Sequence, residues 1–335
     1  YWGEPSASVT RVVWHILDGA DADSRALDRY RAGDLAIADV PLSTLASVQE
    51  DEEISDSLVT IESQASTMAI GLDFNQAPFS DVRVRRAVST AVDRQMWASE
   101  IWRDGFVPAT GFVPPVVGLT SDYVAATTDF GDPASARELL EQAGIDPATD
   151  ALDIVYFQPA TDPPDDIERH AALLRMIEDN SGLVIRHDTS LTSDQIAARQ
   201  QDNGGRQFDI VWWWTVSETA AILDTAASPD SLAMRGWFNW SAEIPAVDGS
   251  DPGAAATTFQ ERISEANASL APETRNSAFQ GAEQILLDNA VYIPLGHWVQ
   301  RFLQQPWLQG TRQGPWSGSI PVRIDADVVV RGRDT

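Results

Sequence analysis

The chain has 335 residues, 43% of them hydrophobic, which allows a sizeable core and suggests two domains. Its 50 acidic and 23 basic residues give a formal net charge of -27, and every basic residue is an arginine. Such a surface repels nucleic acid and anionic lipid, and the absence of cysteine excludes disulfides and thiolate metal sites.

Leu72 to Phe74 reads as a short strand leading into Pro78, and Asp81 follows as a helix N-cap. Val84, Ala87, Val88 and Ala91 then fall at i, i+3, i+4 and i+7 on one helical face, and Arg83, Arg85 and Arg86 are expected to point away from it. Asp93 is expected to cap a second helix ending near Gly105, with Pro108, Pro114 and Pro115 in irregular, extended chain. Asp132 as N-cap, Pro133 at N1 and Gly144 beyond the end punctuate a further helix, whose apolar positions are Ala136, Leu139, Leu140 and Ala143.

Leu152, Ile154 and Tyr156 alternate as in a strand. A helix from about Asp166 carries Ala171, Leu174 and Ile177 on one face, Gly182 ends it, and Leu183 to His187 is the next strand. Phe208 to Trp214 is almost wholly apolar, as expected of a strand covered on both sides. Asp248 to Ala256 is rich in Gly, Ala and Pro and reads as a surface loop. This alternation predicts an α/β fold with crossover units. No apolar run approaches the length of a membrane span.

Chemistry-bearing patterns are sparse. His15, His170, His187 and His297 are too scattered to make a metal motif, and His297 alone merits watching. The acidic pairs Asp165-Asp166 and Glu52-Glu53 read as solvated or helix N-terminal charges. Nucleophile-elbow and phosphate-loop patterns are missing. The sequence therefore predicts no catalytic residue, no metal ligand and no cofactor.

The segment Leu72 to Pro115, LDFNQAPFSDVRVRRAVSTAVDRQMWASEIWRDGFVPATGFVPP, resembles the signature of the family 5 extracellular solute-binding proteins, the oligopeptide- and dipeptide-binding components of ABC importers. Four further matches keep the family's order: YWGEP at Tyr1 to Pro5, Ser24 to Pro41, which is similar to the family's helix ending in a glycine and followed by a strand, ASARELLEQAG at Ala134 to Gly144, and Glu273 to Leu295. The resemblance implies a periplasmic-binding-protein type II-like α/β fold, with two lobes of mixed β-sheets flanked by helices. Residues 1–75 would belong to lobe I, 76–294 would form lobe II, and 295–335 would return to lobe I. It further implies that the first lobe is incomplete and that an N-terminal portion of the family precedes Tyr1.

The functional expectation is an extracytoplasmic, cell-envelope protein that captures a peptide-like solute for an ABC permease and performs no chemistry. Its attachment to the membrane would be only through a lipid anchor on that N-terminal portion. The alternatives are an oligosaccharide-binding member of the family, or a scaffold or regulatory lipoprotein that has left transport. In peptide-binding relatives a tryptophan after the apolar strand is followed three residues later by an aspartate that pairs with the peptide's amino terminus. Matching Trp214 to that tryptophan puts Ser217 at the aspartate position, with Glu218 next to it as a possible substitute. A serine offers no charge, and charge-assisted hydrogen bonds are about twice as strong as neutral ones. The twelve tryptophans point also to stacking, with Trp212 and Trp214 on one strand face and Trp213 on the other. Phe238-Asn239-Trp240-Ser241 resembles the family's N-x-S turn. The candidate ligand contacts are therefore Trp212, Trp214, Ser217, Glu218, Asn239 and Trp240.

Overall fold

The computed structural model describes residues 11–62, 65–109, 111–117, 130–150, 152–203, 206–214, 221–231, 234–246, 250–309, 312–313, 322–323 and 329–330. In chain order the elements are α1 (Ala22–Arg31), β1 (Ile37–Asp39), α2 (Leu42–Gln49), β2 (Leu58–Ile61), β3 (Ser66–Leu72), α3 (Val82–Ala91), α4 (Arg94–Met96) and β4 (Phe106–Pro108). There follow α5 (Pro133–Gln142), β5 (Ile154–Phe157), α6 (Pro164–Ser181), β6 (Ile185–Asp188), α7 (Ser193–Asn203), β7 (Phe208–Trp214) and α8 (Ala221–Ala227). The last are α9 (Pro252–Ala268), α10 (Pro272–Asp288), β8 (Tyr292–Trp298) and β9 (Gln300–Gln304), then the short strands β10 (Leu308–Gln309), β11 (Arg312–Gln313), β12 (Val322–Arg323) and β13 (Val329–Val330). Contacts divide the chain into two compact units, residues 1–64 with 299–335 and residues 65–298.

In the first unit, β9 lies between β1 and β2, antiparallel to both, with Leu303 opposite Ala38 and Leu58. Leu27, Tyr30, Val40, Val48, Ile54 and Leu303 form its core. Gly33 takes the left-handed conformation two residues beyond α1, at φ 74°, which is where the family-like helix was expected to stop.

The second unit is built on a six-stranded mixed sheet in the order β4-β8-β3-β7-β5-β6. β5 runs parallel to β6 and to β7, and the remaining pairs are antiparallel. The β5–α6–β6 passage is a crossover unit of the kind the alternation predicts. Every residue of β3 is buried, because it is the central strand with β8 and β7 on its two edges. The helices form as the local signals require. Asp81 accepts from the Arg83 amide and Asp132 from the Ser135 amide, Pro133 occupies N1, and Gly182 ends α6 at φ 86°.

The structure corrects four expectations. Arg85 does not point away from the core. It is fully buried, donating to the carbonyls of Phe79 (2.7 Å), Ser80 (3.2 Å) and Asn289 (3.0 Å), with its guanidinium 3.8 Å over the Phe74 ring. Arg86 stays exposed and donates to the Asp288 carbonyl. Helix α3 is thus covered on a flank where it meets the end of α10, and arginine's five donors satisfy the carbonyls there. Asp93 does cap, accepting from the Met96 amide at 2.8 Å, yet the helix widens into a π-helical turn over Trp97–Ile101 and ends there. Arg103 and Asp104 then take positive φ values of 48° and 60°, so no helix reaches Gly105. Asp248 to Ala256 is not simply a loop: Asp251 caps α9 through the Ala254 amide, with Pro252 at its first turn. Finally, β7 is not covered throughout, since Trp212 is 37% exposed.

Candidate functional site

Directly opposed residues of antiparallel strands share a sheet face, and neighbours along a strand alternate. Thr67 lies opposite Trp213 and His297, whereas Met68 lies opposite Trp212 and Gly296. The first set therefore marks one face of the sheet and the second marks the other.

On the Met68 face the aromatic side chains converge. The Trp212 ring centroid is 5.0 Å from Trp298 and 5.6 Å from Phe106, and Phe106 meets Trp298 edge-on at 5.3 Å. Behind Phe106 stand Trp97 at 5.0 Å and Trp102 at 4.9 Å, and the Arg169 guanidinium lies 4.9 Å over Trp102. Gly296 makes the stack possible, because a Cβ there would fall 2.6 Å from the Trp97 ring and 2.9 Å from Phe106 Cβ. Trp97, Trp102 and Phe106 are buried, Trp298 is half-buried and Trp212 is exposed. A rigid base of buried rings thus holds two indoles at the surface. Trp298 is also the last residue of the second unit before the chain passes into the first. Such rings offer flat, preorganised apolar area, and aromatic pairs contribute about 0.5–1.5 kcal/mol beyond area burial.

The Thr67 face is core. Phe112 stacks on Tyr292 at 5.1 Å, and Tyr292 meets Trp213 at 5.8 Å and Phe238 at 5.6 Å. These rings join the apolar faces of α8, α9 and α10 in one cluster. Gly71 admits Phe238, whose ring atoms would lie 2.3–2.6 Å from a Cβ. Asn239 follows Phe238 in the left-handed conformation, at φ 58°, and its amide donates to Asp73 Oδ1 at 2.9 Å. Buried Asp73 also accepts from the Asn75 amide (2.9 Å) and from Gln76 Nε2 (2.6 Å), so it ties this turn to the end of β3. Asn75 and Asn239 open onto a groove of about 900 Å³, whose far wall is the α9 face of Thr257, Gln260, Glu261 and Ser264.

Burial perturbs several titratable groups inside the second unit. Burial raises the Asp209 carboxyl above its usual range, opposed by its ion pair with Arg206, which in turn stacks 4.0 Å over Trp237. Burial pulls His170 down to about 4, and its Nδ1 meets the Tyr156 hydroxyl at 2.8 Å. His187 stacks on Tyr156 at 5.3 Å and bonds Gln158 at 2.9 Å. Among the described residues no group of three or more His, Cys, Asp or Glu is placed to hold a metal ion, and no helix is long and apolar enough to cross a membrane.

Three of the six candidate contacts have described side chains, and the sheet separates them. Trp212 belongs to the open aromatic face and Asn239 to the polar groove behind the opposite face. Trp240 is fully buried between Phe74 (6.2 Å) and Phe259 (5.1 Å), with its indole N–H donated to the Pro252 carbonyl at 3.1 Å. Trp214 ends β7 opposite Ser66, and its side chain, Ser217 and Glu218 lie outside the described residues. Phe106 and Asp73 escaped sequence reasoning. Phe106 sits in a three-residue strand too short to show a period, and Asp73 looks like any acid after a strand.

Residues 1–230 match the family model for bacterial extracellular solute-binding proteins, family 5 Middle. The dipeptide-binding protein DppE of Bacillus subtilis (strain 168) is 21% identical over 94% of this chain and 54% of its own length. The periplasmic murein peptide-binding protein MppA of Escherichia coli (strain K12) is 24% identical over 92% of this chain and 53% of its own. Among solved structures, the unliganded open form of the MppA murein tripeptide-binding protein superposes with a TM-score of 0.69 at 19% identity, over 92% of this chain and 55% of that one. The oligopeptide-binding protein AppA of Bacillus subtilis, solved with a nonapeptide, gives 0.66 at 15% identity, over 92% and 59%. The chain spans about half the length of the relatives it matches. The mixed α/β architecture is that of these binding proteins, and the chain belongs to the bacterial extracellular solute-binding proteins of family 5.

Proposed function

We propose that the protein carrying this chain captures a peptide-like solute outside the cytoplasm and presents it to an ABC-transporter permease, without chemistry of its own. Family membership over 230 residues supports the class, and the relatives named for dipeptides and murein peptides support the solute. The observation that carries the reading to particular residues is the open aromatic face, where Trp212 and Trp298 stand on buried Trp97 and Phe106. A peptide's apolar side chain laid on these rings gains area burial at little entropic cost, since the rings are already fixed. In this reading Ser217 or Glu218 receives the peptide's amino terminus. Residues 65–298 act as lobe II, and residues 1–64 with 299–335 act as part of lobe I, with the hinge at the two passages between them. Closure around the solute is then the signal that the permease reads.

Native mass spectrometry of the protein purified from its host tests the assignment. A bound mass that resolves on release into a peptide is expected. A saccharide mass in its place would replace the peptide reading with the stacking of sugars on the same rings.

A further inference from the structure

The chain passes between its compact units twice, at 64/65 and at 298/299. Both passages issue from neighbouring strands, for β3 begins at Ser66 and β8 ends at Trp298. Thr67 and His297 are opposed in the antiparallel register, as are Met68 and Gly296. Between Met68 and Ala69 the register slips, so this end of the ladder is a short stretch set apart from the pairing beyond it.

His297 bridges that stretch. It is 2% exposed, and its Nδ1 lies 3.1 Å from Thr67 Oγ1 and 3.3 Å from the Ser66 carbonyl oxygen. Thr67 Oγ1 donates its proton to the Phe112 carbonyl at 2.7 Å, so it offers His297 only lone pairs. A carbonyl oxygen also only accepts. With acceptors on both sides, Nδ1 carries the proton, and the neutral ring is the Nδ1–H tautomer.

We propose that His297 is a positioning residue that ties β8 to β3 where the chain leaves the second unit, and that acid releases this tie and loosens both strand ends together. The reason lies at the other nitrogen. A second proton must go to Nε2, which places a charge in the interior, and burial accordingly holds the imidazole down at about 4 despite the favourable bond to Ser66. Among the described residues, β3 and β4 bring no titratable group to it. On the same strand and on the elements packed against it stand Tyr292 on β8, Asp209 at the far end of β7, Arg94 on α4, whose Nε donates to the Pro294 carbonyl at 2.6 Å, and Glu283 on α10, whose Oε1 accepts from the Val113 amide.

Hydrogen exchange of the full chain, followed by mass spectrometry between pH 7 and pH 4 and corrected for intrinsic rates, reads the tie directly. Peptides covering 60–68 and 295–301 are compared with α9 and α10, which contain no histidine. Wild-type protection at both strand ends should fall on the order of a hundredfold across that range, because an opened His297 regains an ordinary pKa near 6.5. His297→Asn keeps a donor in the Nδ1 position without a titrating group, so it should match wild type at pH 7 and lose the acid step. His297→Leu should lose protection at both ends already at pH 7. Thr67→Val, which removes an acceptor and leaves the histidine, should loosen the same two segments and serves if the His297 variants do not fold. The proposal is overturned if His297→Asn retains the acid step, or if the variant lacking the tie (His297→Leu or Thr67→Val) keeps wild-type protection at neutral pH.

Discussion

The two faces of the β4-β8-β3-β7 region are both lined with aromatic rings, yet they are built for different ends. On the Thr67 face, Trp213, Phe112, Tyr292 and Phe238 are closed over by three helices and merge with one apolar cluster. On the Met68 face, Trp97, Trp102 and Phe106 are buried but the outermost indole, Trp212, is left open to solvent. Adjacent tryptophans on one strand thus fall into a core and a surface. The difference teaches that an aromatic count says little here; the covering layer decides whether a ring stabilises the fold or is available to a solute.

Substitutions should separate the two roles. The largest effect is expected at Trp240→Ala, which empties a fully buried site and leaves the Pro252 carbonyl without its donor. A loss of about 4 kcal/mol is expected in urea denaturation. A cost below about 1 kcal/mol would show that the Thr67-side core is not closed as described.

Acid should destabilise the second unit next. His170 is held at about 4 by burial, against an unfolded value near 6.5, so its neutral form is what the fold favours. Its contribution is fully present above pH 6.5 and is lost as pH falls from 6.5 towards 4, amounting to roughly 3 kcal/mol. The urea midpoint should drop through that window, and His170→Phe should remove its share of the drop while leaving the share carried by His297. Below that in size, Gly296→Ala should cost about 2 kcal/mol, because the added methyl meets Trp97 and Phe106 across the aromatic face. A neutral outcome would mean that these rings are not pressed on the sheet. Smallest of all in stability is Trp212→Ala, expected at about 1 kcal/mol, since the ring is 37% exposed and loses its contacts with Phe106 and Trp298.

Local signals made much of the framework legible in the sequence. Helices α3 and α5 announce themselves through Asp81 and through Asp132 with Pro133, and Gly182 ends α6 where its special conformation is needed. The same signal stood at Asp251-Pro252, but the small residues after it hid the period of α9. Arg85 was misread for a different reason. Its position lies off the Val84–Ala91 stripe, and the carbonyls that draw it inward come from its own preceding turn and from Asn289, some two hundred residues away. The candidate site was legible only in part. Alternation places Trp212 and Trp213 on opposite faces, yet nothing local says which face the helices cover. Trp240 sits beside Asn239 in sequence and takes its partners from Phe74, Phe259 and Pro252, none of which its neighbours in the chain could indicate.

The open aromatic face is the claim on which the functional reading turns, and calorimetric titration of the peptide released from the purified protein tests it most directly. With Trp212→Ala the account predicts affinity weakened at least about tenfold, equivalent to about 1.4 kcal/mol, with the urea midpoint only slightly lowered. Unchanged affinity in that variant would contradict it.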